Sequence, residues 1–219
     1  MKRPFLLPII GSLLLTSTVF AEDATFSQKP FTDVPAGSTY FEGIEYLRTQ
    51  NVLKGYLDGT FKPDTRINRA EFVKFVVNPF ILDTNNLSDC LRANVSENAK
   101  TVFFPDVAID SWYAVEVCFA KINRIIDGYP DGTYRPADSI NFVEATKILS
   151  NVFSLEIKEE ATGEFWYRPY VQRLSELNAI PVSIKRFDQT ITRGEMAEMV
   201  YRLKADREDK ASASFGSIQ

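Results

Sequence analysis

The sequence predicts a mainly α fold: three helix-loop-helix repeats packed as a pseudo-threefold helical bundle, with short extended segments in the loops. Two observations carry this reading. The chain repeats itself, and each repeat carries two apolar stripes at helical spacing. The opening Phe31-Thr-Asp33-Val34 returns as Phe104-Pro-Asp106-Val107. Gly55-Tyr56-Leu-Asp58-Gly59-Thr60-Phe61-Lys-Pro63 returns as Gly128-Tyr129-Pro-Asp131-Gly132-Thr133-Tyr134-Arg-Pro136. Ile67-Asn68-Arg69-Ala70-Glu71 returns as Ile140-Asn141-Phe142-Val143-Glu144, and all three pairs share one ungapped offset of 73 residues. Self-similarity at such a period marks a repeat architecture, in which one unit cannot bury its own apolar face.

The elements follow in order. Residues 1–21 have the layout of a signal peptide: Lys2 and Arg3, an apolar run from Phe5 to Phe20, and Val19-Phe20-Ala21 before the cut. A membrane anchor is the competing reading; the run is short for a span and carries Pro8 and Gly11. Residues 22–30 are a leader. Repeat 1 covers 31–79, with a first helix marked by Tyr40, Ile44 and Leu47 and a second by Phe72, Phe75 and Val76. Residues 80–103 lack periodicity and read as a long inter-repeat connection. Repeat 2 covers 104–153, with Tyr113, Val117 and Ala120 on one stripe and Ala145, Ile148, Leu149 and Val152 on the other. Repeat 3 covers 160–204 and is degenerate. Trp166 to Val171 matches Trp112 to Val117 at an offset of 54, and Ile191 to Glu195 matches Ile140 to Glu144 at 51. Its Gly-Tyr-x-Asp-Gly-Thr loop and its Phe-x-Asp-Val opening are missing. Residues 205–219 read as a polar, flexible tail.

Composition excludes several function classes. There is no histidine, which removes Ser-His and Cys-His catalysis and histidine-bearing zinc sites. Net charge is -4 and there is no long basic run, so nucleic acid is not the expected partner. The two cysteines cannot form a four-ligand thiolate site. In an exported protein Cys90 and Cys118 can pair as a disulfide, or stand as separate thiols with Cys118 a small core residue. Asp127-x-Tyr129-x-Asp131-Gly132 followed by Asp138 is a poor calcium loop, because a tyrosine fills its third position. No metal and no cofactor are expected.

Each second helix is preceded by a capping box: Asn68 with Glu71, Asn141 with Glu144, Thr192 with Glu195. Arg69 and Arg193 stand in the first turn of these helices, where a cation opposes the helix dipole. Two readings stand for them. Free N–H groups and a guanidinium can converge on an anionic ligand, or the arginines form ion pairs with a neighbouring repeat. As exposed side chains they are expected to add little to folding. Trp112 and Trp166 share one repeat position and either stack on a sugar face or cap the core. Tyr56 and Tyr129 divide in the same way between sugar contact and loop packing. Asp58-Gly59 and Asp131-Gly132 serve the turns first and line the candidate polysaccharide site second.

Phe-x-Asp-Val, a Trp- or Tyr-led helix, Gly-Tyr-x-Asp-Gly-Thr-Phe/Tyr-x-Pro and Ile-Asn/Thr-Arg-Ala/Gly-Glu together resemble the S-layer homology (SLH) repeat, over residues 31 to about 204. The resemblance implies a pseudo-threefold helical module that binds secondary cell-wall polysaccharide, often pyruvylated, and anchors exported proteins non-covalently at the cell surface. The family's Thr-Arg-Ala-Glu motif falls on Asn68 to Glu71 and on Thr192 to Glu195. Phe142 replaces its arginine in repeat 2, and repeat 3 lacks the Asp-Gly loop. The expected partner is therefore cell-wall polysaccharide, with envelope proteins as further partners and no membrane insertion after cleavage. A structural or protein-interaction subunit without glycan affinity is the alternative function. A glycan hydrolase is a more remote one, since the obvious carboxylates are committed to caps and turns.

Overall fold

The computed structural model describes residues 29–80, 84–96, 98–159, 162–207 and 209–219. The expected signal peptide lies outside these residues. Among the described residues there are seven α-helices: α1 (Phe41–Thr49), α2 (Arg69–Val77), α3 (Thr84–Asn94), α4 (Ala114–Ile122), α5 (Phe142–Val152), α6 (Arg168–Glu176) and α7 (Arg193–Ala205). A small antiparallel ladder joins β1 (Thr101–Val102) to β2 (Phe104–Ala108). The fold is mainly α, as the stripes require.

The three repeats close on one another. The first helix of each repeat packs on the second helix of the repeat before it: α4 on α2, α6 on α5, and α1 on α7. Each apolar stripe is therefore covered by a neighbour, not by its own partner helix. Ile44, Leu47, Val76, Val117, Leu149, Val171, Leu174, Met199 and Val200 are all buried in one core.

At the centre, three isoleucines form a closed ring of backbone hydrogen bonds. Ile67 N–H donates to Ile191 O (3.2 Å), Ile191 N–H to Ile140 O (3.1 Å), and Ile140 N–H to Ile67 O (3.1 Å). All three side chains are fully buried. Short bridges flank the ring, Arg66 with Thr192, Asn68 with Ser139 and Asn141 with Thr190. These are the extended pairings of the loops.

Repeat 3 is built on the same plan despite its lost loop. Two expectations from sequence are corrected. Residues 80–103 contain α3 and β1, and Cys90 of α3 is joined to Cys118 of α4 by a disulfide with a Cα–Cα distance of 6.1 Å. The residues after α7 are also not a loose tail. Ala213 and Ile218 are buried, Ala213 N–H donates to Ile180 O, Gln219 N–H donates to Lys185 O, and Phe187 N–H donates to Gln219 O. Arg202, itself buried, gathers the carbonyls of Asn178 and Ala211, each at 3.0 Å, while pairing with Glu198 at 2.8 Å. A polar composition hid this docking, because the contacts are mostly backbone and span long sequence separations.

Candidate functional site

The turn of each complete repeat is a tight hairpin set by local chemistry. Tyr56 N–H donates to Thr60 O and Gly59 N–H donates to Tyr56 O; Tyr129 with Thr133 and Gly132 with Tyr129 repeat the pattern. Gly59 and Gly132 sit at φ +79 and +82, where a Cβ would be strained. Asp58 accepts from the Thr60 amide (3.0 Å) and hydroxyl (2.6 Å), as Asp131 does from Thr133 at the same distances. These bonds hold both carboxyls below their ordinary range, the threonine hydroxyl contributing most. The turn role expected of both aspartates is their observed one. A second aspartate per repeat fixes the far side of the loop. Asp33 accepts from the amides of Phe61 and Lys62, and Asp106 from those of Tyr134 and Arg135.

All three capping boxes are present. The arginines that follow two of them reach away from their own repeats. Arg69 N–H and Ala70 N–H donate to the carbonyls of Asp138 and Pro136 in repeat 2. The Arg69 Nε donates to Tyr134 O at 2.8 Å, and its guanidinium lies 4.6 Å from the Tyr129 ring centroid and 3.4 Å from Glu144. Arg193 makes the matching reach into repeat 1. Its Nε donates to Phe61 O at 2.8 Å, and its guanidinium lies 4.8 Å from the Tyr56 ring centroid. The arginines are 5% and 8% exposed. The expectation of exposed side chains with little role in folding is therefore corrected, and the ion-pair reading holds for Arg69.

Two grooves result, each about 510 Å³. Tyr56, Glu71, Lys74, Trp112 and Arg193 line the first. Tyr129, Glu144, Lys147, Trp166 and Arg69 line the second. Each groove thus draws on all three repeats: one gives the tyrosine and glutamate, the next the tryptophan, the third the arginine. Trp112 is 56% exposed and Trp166 half-buried, so neither is a fully buried cap on the core. Lys74 Nζ lies 5.3 Å from the Trp112 ring and Lys147 Nζ 5.6 Å from the Trp166 ring. The lysines were missed in the sequence, although they also repeat at an offset of 73 and stand one helical turn after Glu71 and Glu144.

The grooves differ in how their polar groups are engaged. In the second, the Tyr129 hydroxyl donates to Glu144 at 2.6 Å, and burial with this contact raises the phenol to about 12. Lys147 pairs with Asp127 at 2.6 Å. Around the first, Lys74 pairs with Glu116 at 3.0 Å and donates to Trp112 O at 2.9 Å.

The third junction is closed. Phe142, standing where an arginine would, is fully buried, and its N–H donates to Gln189 O. Glu195 accepts from Ser183 and Gln189, and the Tyr40 hydroxyl donates to Ser183. The Tyr40 ring lies over Gly194 so closely that a Cβ there would stand 2.3 Å from it. The lost arginine of repeat 2 and the lost loop of repeat 3 thus belong to one junction. They do not damage two separate grooves.

Among the described residues no group of three or more His, Cys, Asp or Glu is placed to hold a metal ion. No described helix is long and apolar enough to cross a membrane.

The S-layer homology domain model matches residues 30–73 and 103–146. The chain is similar to a middle cell wall protein of Brevibacillus brevis, 26% identical over 82% of this chain and 16% of that protein. It is 34% identical to a cellulosome-anchoring protein of Acetivibrio thermocellus over 49% of this chain and 22% of that one. An amylopullulanase of Thermoanaerobacterium thermosulfurigenes is 26% identical over 88% of this chain and 10% of its own length. The chain spans less than a quarter of the length of these relatives.

Proposed function

We propose, on the premise that this chain is an S-layer homology domain protein, that it is a non-catalytic module holding to a cell-wall polysaccharide at the cell surface. The observation that supports this most is the build of the two grooves. Each presents an exposed or half-exposed tryptophan, a tyrosine and a buried arginine, contributed by three different repeats. A sugar ring presents a polar edge and an apolar face. Indole and phenol rings suit the face, and lysine, arginine and asparagine suit the hydroxyls and any acidic substituent. The carboxylates near the grooves are engaged in caps and ion pairs, which disfavours a hydrolase reading.

Relatives include a middle cell wall protein, a cellulosome-anchoring protein and an amylopullulanase. The shared segment in such different proteins fits an attachment role, separate from what each whole protein does. Export through cleavage after Ala21 and a pyruvylated target polymer belong to the same reading. Binding of the mature chain to polysaccharide released from the wall, measured by titration calorimetry before and after mild acid removal of ketal-linked pyruvate, tests it. Binding that needs the pyruvyl group supports the full reading. Binding that does not need it removes only the pyruvyl part, and no binding favours an envelope subunit without glycan affinity.

A further inference from the structure

Beyond its contact with a neighbouring repeat, the first helix of each repeat meets a different cover. In repeat 2, α3 packs on α4, and Cys118 takes the disulfide from Cys90. In repeat 1, the docked tail reaches Glu42 of α1 through Arg207 and Lys210. In repeat 3, residues 156–159 and Phe215 of the tail meet α6 but leave a cavity of about 280 Å³. Pro169, Gln172, Arg173 and Glu176 of α6 line it, spaced so that they share one side of the helix. Phe215 is fixed there by its N–H, which donates to Ser175 Oγ at 3.3 Å, and by its ring, 5.4 Å from that of Phe187. The four α6 positions carry Val115, Cys118, Phe119 and Ile122 in repeat 2, and Glu42, Glu45, Tyr46 and Thr49 in repeat 1. The cavity therefore belongs to repeat 3 alone, and it shares no lining residue with either groove.

Its charges select against an anion. Arg173 pairs with Glu176 at 2.9 Å, and Lys158 lies 3.9 Å from the same carboxylate. Glu156 and Glu159 also line the cavity and have no ion pair among the described residues, so three carboxylates stand against two engaged cations. The polar groups left over suit hydroxyls. The Gln172 amide makes no hydrogen bond among the described residues, and it offers donors and an acceptor side by side, as neighbouring hydroxyls require. Arg173 Nε is buried without an acceptor, whereas buried donors ordinarily have one. The Phe215 ring and Pro169 add an apolar wall suited to the C–H face of a sugar ring. We propose that this cavity is a separate sugar site that takes an uncharged pyranose, with the docked tail as one of its walls. The chain then holds a neutral glycan at repeat 3, and this does not rest on the grooves binding polysaccharide.

The test is a nuclear magnetic resonance titration of the isotope-labelled, full-length mature protein. The probes are the methyl glycosides of glucose, galactose, mannose and N-acetylglucosamine, with methyl glucuronide as the anionic control. At least one neutral glycoside is expected to shift the Gln172 side-chain amide and the Phe215 backbone amide saturably, and to bind there about tenfold more tightly than the glucuronide. Gln172→Ala should weaken the response at Phe215 by about tenfold. The Ala213 and Gln219 amides should keep their protection in that variant, which shows the tail still docked. No saturable shift at either amide with any neutral glycoside, glucuronide binding as tight as theirs, or an unchanged response in Gln172→Ala overturns the proposal. Trp112 lines the first groove and Trp166 the second, so their indole N–H signals report the grooves in the same spectra. A silent cavity therefore leaves the anchoring reading as it stands, and silent indoles beside a responding cavity leave this site standing.

Discussion

Arg69 and Arg193 occupy the same position in their repeats, but the structure assigns them different energetic roles. Arg69 is buried with Glu144 3.4 Å away and holds the Tyr134 carbonyl. Removing one member of a buried pair strands the other. Arg69→Ala should therefore lower stability by about 3 kcal/mol, read as a shift in urea midpoint, in addition to weakening binding at the second groove. Among the described residues Arg193 has no carboxylate partner, so Arg193→Ala should cost about 1 kcal/mol, the scale of its bond to Phe61 O. Equal losses for the two variants would contradict this difference. The sequence made both arginines conspicuous, since a cation in the first helical turn has no local reason. It could not show where they point, because their carbonyl partners lie 65 and 132 residues away. The same blindness applies to Phe142. The family motif has an arginine there, yet Phe142 is fully buried at the closed third junction. Phe142→Arg should destabilise the fold and create no third binding site, which melts and stoichiometry by titration will show.

Among the elements, the three capping boxes were legible from Asn or Thr and a Glu three residues on, and all three form. They are not equivalent in weight. Glu71 caps its helix, whereas Glu144 also accepts from Tyr129 and faces Arg69. Glu71→Ala should cost about 1 kcal/mol and Glu144→Ala distinctly more, in the same denaturation series. Helix α3 escaped the sequence reading because it lies between repeats and has no second copy to reinforce its pattern. The Cys90–Cys118 bond ties it to α4 across a sequence separation of 28. Replacing both cysteines by serine should remove up to about 3.5 kcal/mol by loop-closure entropy, without altering the grooves. The docked tail gives a pH signature. Glu42 of α1 receives Lys210, the Tyr201 hydroxyl and Arg207, in that order of effect, and its carboxyl is held down to about 2. A carboxyl lowered in the fold stabilises fully above its ordinary value of about 4.3 and ceases to do so as pH falls through the lowered one. The tail contact should therefore persist at pH 5 and weaken toward pH 2, seen as a fall in the protection of the Ala213 and Gln219 amides relative to their intrinsic exchange rate at each pH.

At the scale of the whole molecule, the closed ring of Ile67, Ile140 and Ile191 and the exchange of helix partners make the three repeats one folding unit. Periodicity foretold the count of helices per repeat and the need for a shared core. It did not foretell the exchange itself, since a stripe states that a face is covered and not by what. Deleting residues 160–219 would uncover α5, which packs on α6, and α1, which packs on α7. The remaining chain should aggregate or melt without cooperativity, and a soluble, cooperatively melting product from residues 22–155 would contradict the shared core. The same exchange is why each groove draws on three repeats, so the grooves and the fold stand on one architecture. The measurement that bears most directly on the anchoring claim is retention of the mature protein by purified sacculi, compared with sacculi from which the secondary polysaccharide has been extracted. The account predicts that the protein sediments with the first and stays in solution with the second. Equal sedimentation with both, or with neither, would contradict it.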